Sequence, residues 1–305
     1  MSGLMTVNSF PRATKPGVDK WIGLDYAEYG QQWKEIFDTG EMEGAFVEQI
    51  SVGGLGLLKI KEEGDAVKYD SMAQGLKTFF RPATYASGFM ITEEAMEDNK
   101  YMELAEFRSR EAGKAARETK EIVHANILNL AFSNTQLGSD GVSLASTAHL
   151  LAKGGTYSNM LATAADLSEA SLEAAVIQIR SYVDDASKKI SVKPLKLIVS
   201  SSDMFNAERL LKTTQRPDSA ENDINALRSK GVLPMGYVVN DYLTDTDAWF
   251  IKTDVRWGLQ SFQRRPLRIL MDDPDFDTGN VKIKVDERYG LGWNDARSIF
   301  CSAGA

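Results

Sequence analysis

The chain has 305 residues, of which 43% are hydrophobic and 26% charged, an ordinary globular composition with enough apolar side chains for a sizeable core or two sub-domains. Its formal charge of -8 argues against a protein whose main task is coating nucleic acid. One cysteine, Cys301, and two histidines, His124 and His149, can supply neither an internal disulfide nor a closed Cys/His zinc site.

The start, MSGLMTVNSF, lacks a basic segment followed by an apolar core, and no apolar run approaches the roughly 20 residues of a membrane helix. A soluble protein outside the secretion route, with no membrane partner, is expected. Residues 1–44 carry helix and strand breakers, Pro11, Pro16, Gly17, Gly23, Gly30 and Gly40 among them, with the aromatic residues Trp21, Tyr26, Tyr29, Trp33 and Phe37 scattered through. That mixture suggests an extended arm that docks on something else, or a loosely packed helix near 25–39. Arg12, Lys15 and Lys20 face only Asp19 there and make the opening locally basic.

Residues 53–92 read as strand, charged loop, strand: LLKIK, then EEGDAVKYDSMAQG, then LKTFFRPATYASGFMI. A loop of that length without an apolar period is either disordered or a projecting element with a task. GGLGLL lacks the third glycine of a dinucleotide fingerprint. From Thr92 a helical tract runs to about Phe132, with Ala112, Ala115, Ala116, Thr119, Val123, Ile127 and Leu130 as a thin apolar stripe and Glu, Lys and Arg on the other faces. Without leucine heptads the tract reads as a rod lying across a sheet or a neighbour.

Residues 133–165 are polar and glycine-rich, a connector. Beyond them DLSEASLEAAVIQIRSYVDDA is an amphipathic helix capped by Asp166 or Ser168, LKLIVS a buried strand and DMFNAERLLKTT a second helix with the preceding serines and Asp203 as its cap. Six strand-like pieces follow: GVLPMGYVVN, DAWFIKT, WGLQSF, PLRILM, VKIKVDERYG and ARSIFC.

The search for chemistry returns little. A nucleophilic serine among Ser200, Ser201 and Ser202 would need flanking glycines at its turn, and there are none. Cys301 reads as a small buried hydrophobe. DDPDFDTGN, residues 272–280, places Asp273, Asp275 and Asp277 at positions 1, 3 and 5 of a calcium loop, but position 6 is Thr278 and position 12 is Lys284. It reads as an acidic turn between strands. A pair of carboxylates brought together in space, as in a glycosidase, stays open at this level.

The order of parts resembles the major capsid proteins of tailed bacteriophages with the Hong Kong 97 fold. LKTFFRPATYASGFMITEEAMEDNKYMELAEFRSREAGKAARETKEIVHANILNLAFS, residues 76–133, carries the resemblance best. DGVSLASTAHLL, KPLKLIVSSSDMFNAERLL and GVLPMGYVVNDYL resemble the phage Mu type of head subunit, with Leu150 after His149 where that type carries proline. The resemblance implies an α+β fold with an N-terminal arm (1–44), an extended loop with peripheral-domain strands (45–92), a spine helix (93–134), a connector (135–165), an axial domain (166–263) and returning peripheral strands with a C-terminal axial strand (264–305).

It also implies a non-enzymatic subunit without cofactor or metal. Hexamers and pentamers of it would tile an icosahedral head around double-stranded DNA, with a portal, a scaffold or protease and decoration proteins as partners. Assembly would take place in the host cytoplasm, and the protein would end in the virion. A cellular nanocompartment shell holding cargo protein is the alternative within the fold, and a soluble α/β hydrolase the alternative outside it. Expected contacts between subunits are Arg12, Lys15 and Lys20 of the arm, against neighbours or the DNA-facing interior, and Lys59, Lys61, Glu62, Glu63, Asp65 and Lys68 of the loop, against a neighbour. The residues identify no cleavage site and no cross-linking Lys/Asn pair.

Overall fold

A computed structural model describes residues 30–305 apart from 53, 55–56, 59, 65, 67–68, 70–73, 95–100, 216–223, 273–274 and 276, with backbone alone at 52 and 101–105. The expected contact residues Arg12, Lys15, Lys20, Lys59, Asp65 and Lys68 lie outside the described residues. The described chain begins with a 3-10 turn, Gln32–Glu35. Strands β1 (Asp38–Glu41), β2 (Val47–Val52), β3 (Gln74–Phe80) and β4 (Ala83–Ile91) follow, then helix α1 (Tyr101–Asn129). The connector forms a small hairpin of β5 (His149–Leu150) and β6 (Thr156–Tyr157). After it come α2 (Glu169–Arg180), β7 (Pro194–Val199), α3 (Met204–Lys212), α4 (Ala226–Ser229), β8 (Tyr237–Val239), β9 (Trp249–Thr253), β10 (Leu259–Met271), β11 (Val281–Trp293) and β12 (Ile299–Ser302).

Two four-stranded sheets organise these elements. The first has the order β1-β10-β11-β4, with β1 parallel to β10 and the other pairs antiparallel. On β11 the period of two is plain, since Val281, Ile283 and Val285 are buried while Lys282 and Lys284 are exposed. The buried face packs with Ile91, Phe89, Leu267, Ile269 and Ala112 of α1. α1, 29 residues and therefore about 44 Å long, lies against β4 and β11.

The second sheet has the order β12-β9-β7-β8. Its strands are apolar on both faces, because each face covers a different core. Leu197, Val199, Trp249, Ile251 and Phe300 pack with Leu172, Ala175 and Ile179 of α2 and Ala207 and Leu210 of α3. The alternate residues Ile198, Phe250, Ile299 and Cys301 point into a second core with Trp33, Ile36, Phe37, Ile127, Leu128 and Trp293. That second core joins the opening segment, the end of α1 and both sheets.

Several local readings change. WGLQSF and PLRILM are one strand of 13 residues, β10, because Pro266 falls among register shifts between Gln263 and Arg268. LKTFFRPATYASGFMI is two strands, β3 and β4, divided at Arg81-Pro82. The LLKIK strand is absent: the described residues Leu57, Leu58, Ile60 and Lys61 form no ladder, and the hairpin strand that pairs with β3 is VEQISV. Of the helix expected near 25–39, residues 25–29 lie outside the described residues, and the rest holds one 3-10 turn followed by β1, where Gly40 is required because a Cβ there would meet the Phe262 ring at 2.8 Å. Ser168 caps α2 in a reciprocal pair with Ser171, whereas Asp203 makes no capping hydrogen bond to α3.

The connector is pinned by Asn159, which is fully buried. Its side-chain amide donates to the carbonyls of Leu144, Ala296 and Ile299. Its side-chain oxygen accepts from Ser146 N–H and meets His149 Nε2 at 3.1 Å, and its own carbonyl accepts from Cys301 N–H. All of the amide's hydrogen-bonding capacity is used, so no conservative apolar replacement exists. Asn159→Ala is expected to lower unfolding free energy by about 3 kcal/mol, read as an earlier urea midpoint at unchanged slope.

Candidate functional site

From Ser109 to His124 the buried stripe of α1 is mostly polar, before Ala125, Ile127 and Leu128 bury its last turn. Ser109, Arg117, Lys120, Glu121 and His124 are buried, while Leu130 and Ile122 are exposed. Of the expected stripe Ile127 is buried, whereas Ala112, Ala116, Thr119 and Val123 are half-buried and Ala115 and Leu130 exposed; the sequence reading turned the charges to solvent because it counted only apolar residues. The turn of helix from 117 to 124 therefore carries the charges inward, and each must find a partner.

Lys120 sits at the centre, 4% exposed. Its Nζ donates to Glu287 Oε1 on β11 at 2.5 Å and to Gln263 Oε1 on β10 at 2.9 Å. Gln263 Nε2 closes the triangle by donating to Glu287 Oε1 at 2.7 Å. The ammonium also lies 5.0 Å from the ring centres of both Trp33 and Tyr289, within cation–π range. Burial lowers the Lys120 pKa, and the adjacent Glu287 carboxylate opposes that shift. One side chain thus ties the opening segment, α1, β10 and β11 together.

Its neighbours complete the joint. Glu121 Oε2 accepts the Trp33 N–H at 3.1 Å, and burial raises the Glu121 pKa. His124 stacks between Trp33 and Tyr289, with the Phe37 ring edge-on at 5.0 Å. Its Nδ1 lies 2.6 Å from the Lys120 carbonyl, which assigns the proton to Nδ1 and leaves Nε2 to accept from Ser261 Oγ at 2.8 Å. Burial depresses the His124 pKa to about 4, so the ring is neutral at pH 7. On the first sheet's other face Asp286 takes two hydrogen bonds from Arg268, at 2.6 and 3.1 Å, with Arg265 and Lys284 at 3.1 and 3.6 Å. The Arg268 hydrogen bonds hold its carboxyl below the usual range.

Away from this joint, apolar side chains are left without cover. In the connection between β2 and β3, Leu57 is 75% exposed, Leu58 102%, Ile60 94% and Tyr69 96%. Phe46 and Phe79 meet edge to face at 5.7 Å, both about half exposed. Lys61, Glu62 and Glu63, the expected loop contacts that the structure describes, are exposed beside them. Among the described residues nothing covers the Leu57, Leu58, Ile60 and Tyr69 side chains, although burying each of them favours association by roughly 1.5–3 kcal/mol.

The candidate catalytic groups are not assembled. Ser200 Oγ donates to the Thr246 carbonyl, Cys301 is fully buried with its thiol pKa pushed up by burial, and His149 Nδ1 pairs with Asp140. In the acidic turn, Gly279 adopts φ 65° and its N–H reaches the Asp275 carbonyl at 2.7 Å, while Lys282 pairs with the Asp275 carboxylate. Among the described residues no cluster of three or more His, Cys, Asp or Glu is placed to hold a metal ion.

A projecting hairpin with bare apolar residues, a long helix across the first sheet and a second sheet between two cores define the α+β Hong Kong 97 class of shell-forming subunit. The family model described as phage capsid protein matches residues 75–302, and the chain belongs to that family. No curated protein matches the chain. Among solved structures, a virus-like particle from Pyrococcus furiosus shares 11% identity at a TM-score of 0.54, covering 94% of this chain and 98% of its own. The capsid of an empty GTA particle shares 13% at 0.53 over 90% of each chain, and Microbacterium phage Oxtober96 shares 11% at 0.52 over 91% and 92%. At such identities the likeness shows the fold, while the family match makes the chain a structural capsid protein of the virion that associates with its own copies.

Two outcomes follow from the joint. Between pH 6.5 and about 4 the unfolded chain binds a proton at His124 that the folded chain refuses. Stability therefore falls as pH drops through that window, by about 3 kcal/mol for this group. His124→Gln should flatten the slope in urea titrations across those pH values. Lys120→Met leaves the Glu287 carboxylate buried without its cation and should cost about 3–5 kcal/mol. In the same assay, Lys120→Met/Glu287→Leu should recover part of that loss.

Proposed function

We propose that the protein is the major subunit of an icosahedral phage head, arranged as hexamers and pentamers around double-stranded DNA. The observation that carries this reading is the β2–β3 hairpin, whose apolar residues Leu57, Leu58, Ile60 and Tyr69 are exposed. A neighbouring copy supplies the missing surface, with Lys59, Lys61, Glu62, Glu63, Asp65 and Lys68 pairing with charges on it. Arg12, Lys15 and Lys20 likewise contact neighbours. The work is structural, without catalysis or cofactor: binding energy is spread over many weak contacts, so repeated copies close into a shell and can later rotate as rigid bodies.

A portal, a scaffold or protease and decoration proteins complete the head, which assembles in the host cytoplasm. On the likeness of segments 140–151, 193–211 and 231–243, we read the chain as a head subunit of the phage Mu type. The likeness to a virus-like particle keeps a protein-holding shell as the second reading.

Electron microscopy of the purified protein should show closed particles. A variant lacking residues 61–73 should remain a soluble subunit and form none. Normal particles from the deletion would contradict the role given to the hairpin, and nucleic acid absent from particles isolated with their natural host would favour the second reading.

A further inference from the structure

Beside the buried joint, a polar cavity of about 440 Å³ opens next to Gly30, where the described chain begins. Gln32, Glu35, Arg117, Glu121, Asp241 and Tyr242 line it. Three carboxylates against one guanidinium make it formally acidic. Two of those carboxylates are already engaged within the chain: Glu35 accepts from Lys196 Nζ at 2.9 Å and Asp241 from Gln32 Nε2 at 2.6 Å.

Glu121 differs. The residue is 1% exposed, its Oε2 holds the Trp33 N–H, and its Oε1 has no hydrogen-bond partner. A carboxylate oxygen buried without a donor is costly, and a charged donor is the partner that offsets the cost best. Arg117 contributes charge from the same helix. The site therefore has one acceptor position to fill, in acidic surroundings, at the end of an open cavity.

We propose that this cavity receives a lysine ammonium or arginine guanidinium from residues 12–20 of an adjacent copy. The charge complementarity is direct. Residues 1–18 contain Arg12 and Lys15 and no carboxylate, and Lys20 follows Asp19. The length of chain also suits the contact, since Gly30 lies ten Cα–Cα steps beyond Lys20, a reach of roughly 33 Å when extended. A long, thin side chain delivers a charged head into such a cavity while its stem stays at the mouth. The contact would fasten a neighbour's N-terminal segment to the same turn of α1 that holds the chain's own Trp33. This inference rests on the assembly reading above and names the surface on which the basic N-terminal residues act.

The test uses full-length chains carrying Asp241→Cys with Arg12→Cys, Lys15→Cys or Lys20→Cys in turn. Cys301, fully buried, stays out of the reaction. Oxidised particles from at least one of the three should give a ladder of several covalently joined chains on a non-reducing denaturing gel. Adding Glu121→Gln, which keeps an acceptor for Trp33 and removes the charge, should cut the linked fraction about tenfold. Normal particles with no link from any pair, links confined to single chains, or a ladder indifferent to Glu121→Gln would each overturn the proposal. Failure of the unsubstituted chain to form particles would instead strike the assembly reading.

Discussion

The architecture depends on one buried cation. Lys120 projects from the middle of α1 into a space where its ammonium must be met on every side. It is met by Glu287 and Gln263 from the two central strands of the first sheet, and by the ring faces of Trp33 and Tyr289. Because the two aromatic rings come from opposite ends of the sequence, satisfying one charge fixes the opening segment, the helix and the long strands in a single geometry. A buried ion pair is not in itself a large source of stability, since both charges lose water to form it. Its value here is positional: a helix register one turn away would leave the lysine, Glu287 and His124 without partners.

That rigidity is the counterpart of the unfinished hairpin. The subunit places its own apolar residues in cores on both sides of the second sheet and beneath α1, yet it leaves Leu57, Leu58, Ile60 and Tyr69 in water. A stiff body presenting an apolar projection suits repeated association, because the cost of ordering the body is met once, on folding, and not again at each contact. The charges around the projection serve specificity more than affinity, as exposed pairs contribute little individually.

Much of this organisation is legible in the sequence where the pattern is local. The alternation in VKIKV, the apolar run of LKLIV and the Ser168 cap each state their element and its faces. The length of the helical tract and the missing core of the 53–73 connection point to a partner before any coordinates exist. What is not legible depends on groups far apart in the chain. Lys120, Glu121 and His124 look like a solvated helix face until Trp33, Ser261, Gln263 and Glu287 are brought to them across 88 to 167 residues. Asn159 looks like one more polar residue of a glycine-rich connector, and only its five side-chain contacts show it to be a core residue. LLKIK has the composition of a strand and no strand to pair with among the described residues. Strand propensity without a partner gives an exposed segment.

The central claim is that the hairpin is completed by another copy of the chain. Amide hydrogen exchange over residues 47–80, compared between dissociated subunits and closed particles, tests it most directly. The account predicts fast exchange in the 53–73 connection of the free subunit and strong protection of the same amides in the particle, with α1 protected in both states. Equal exchange of that connection in the two states would contradict it.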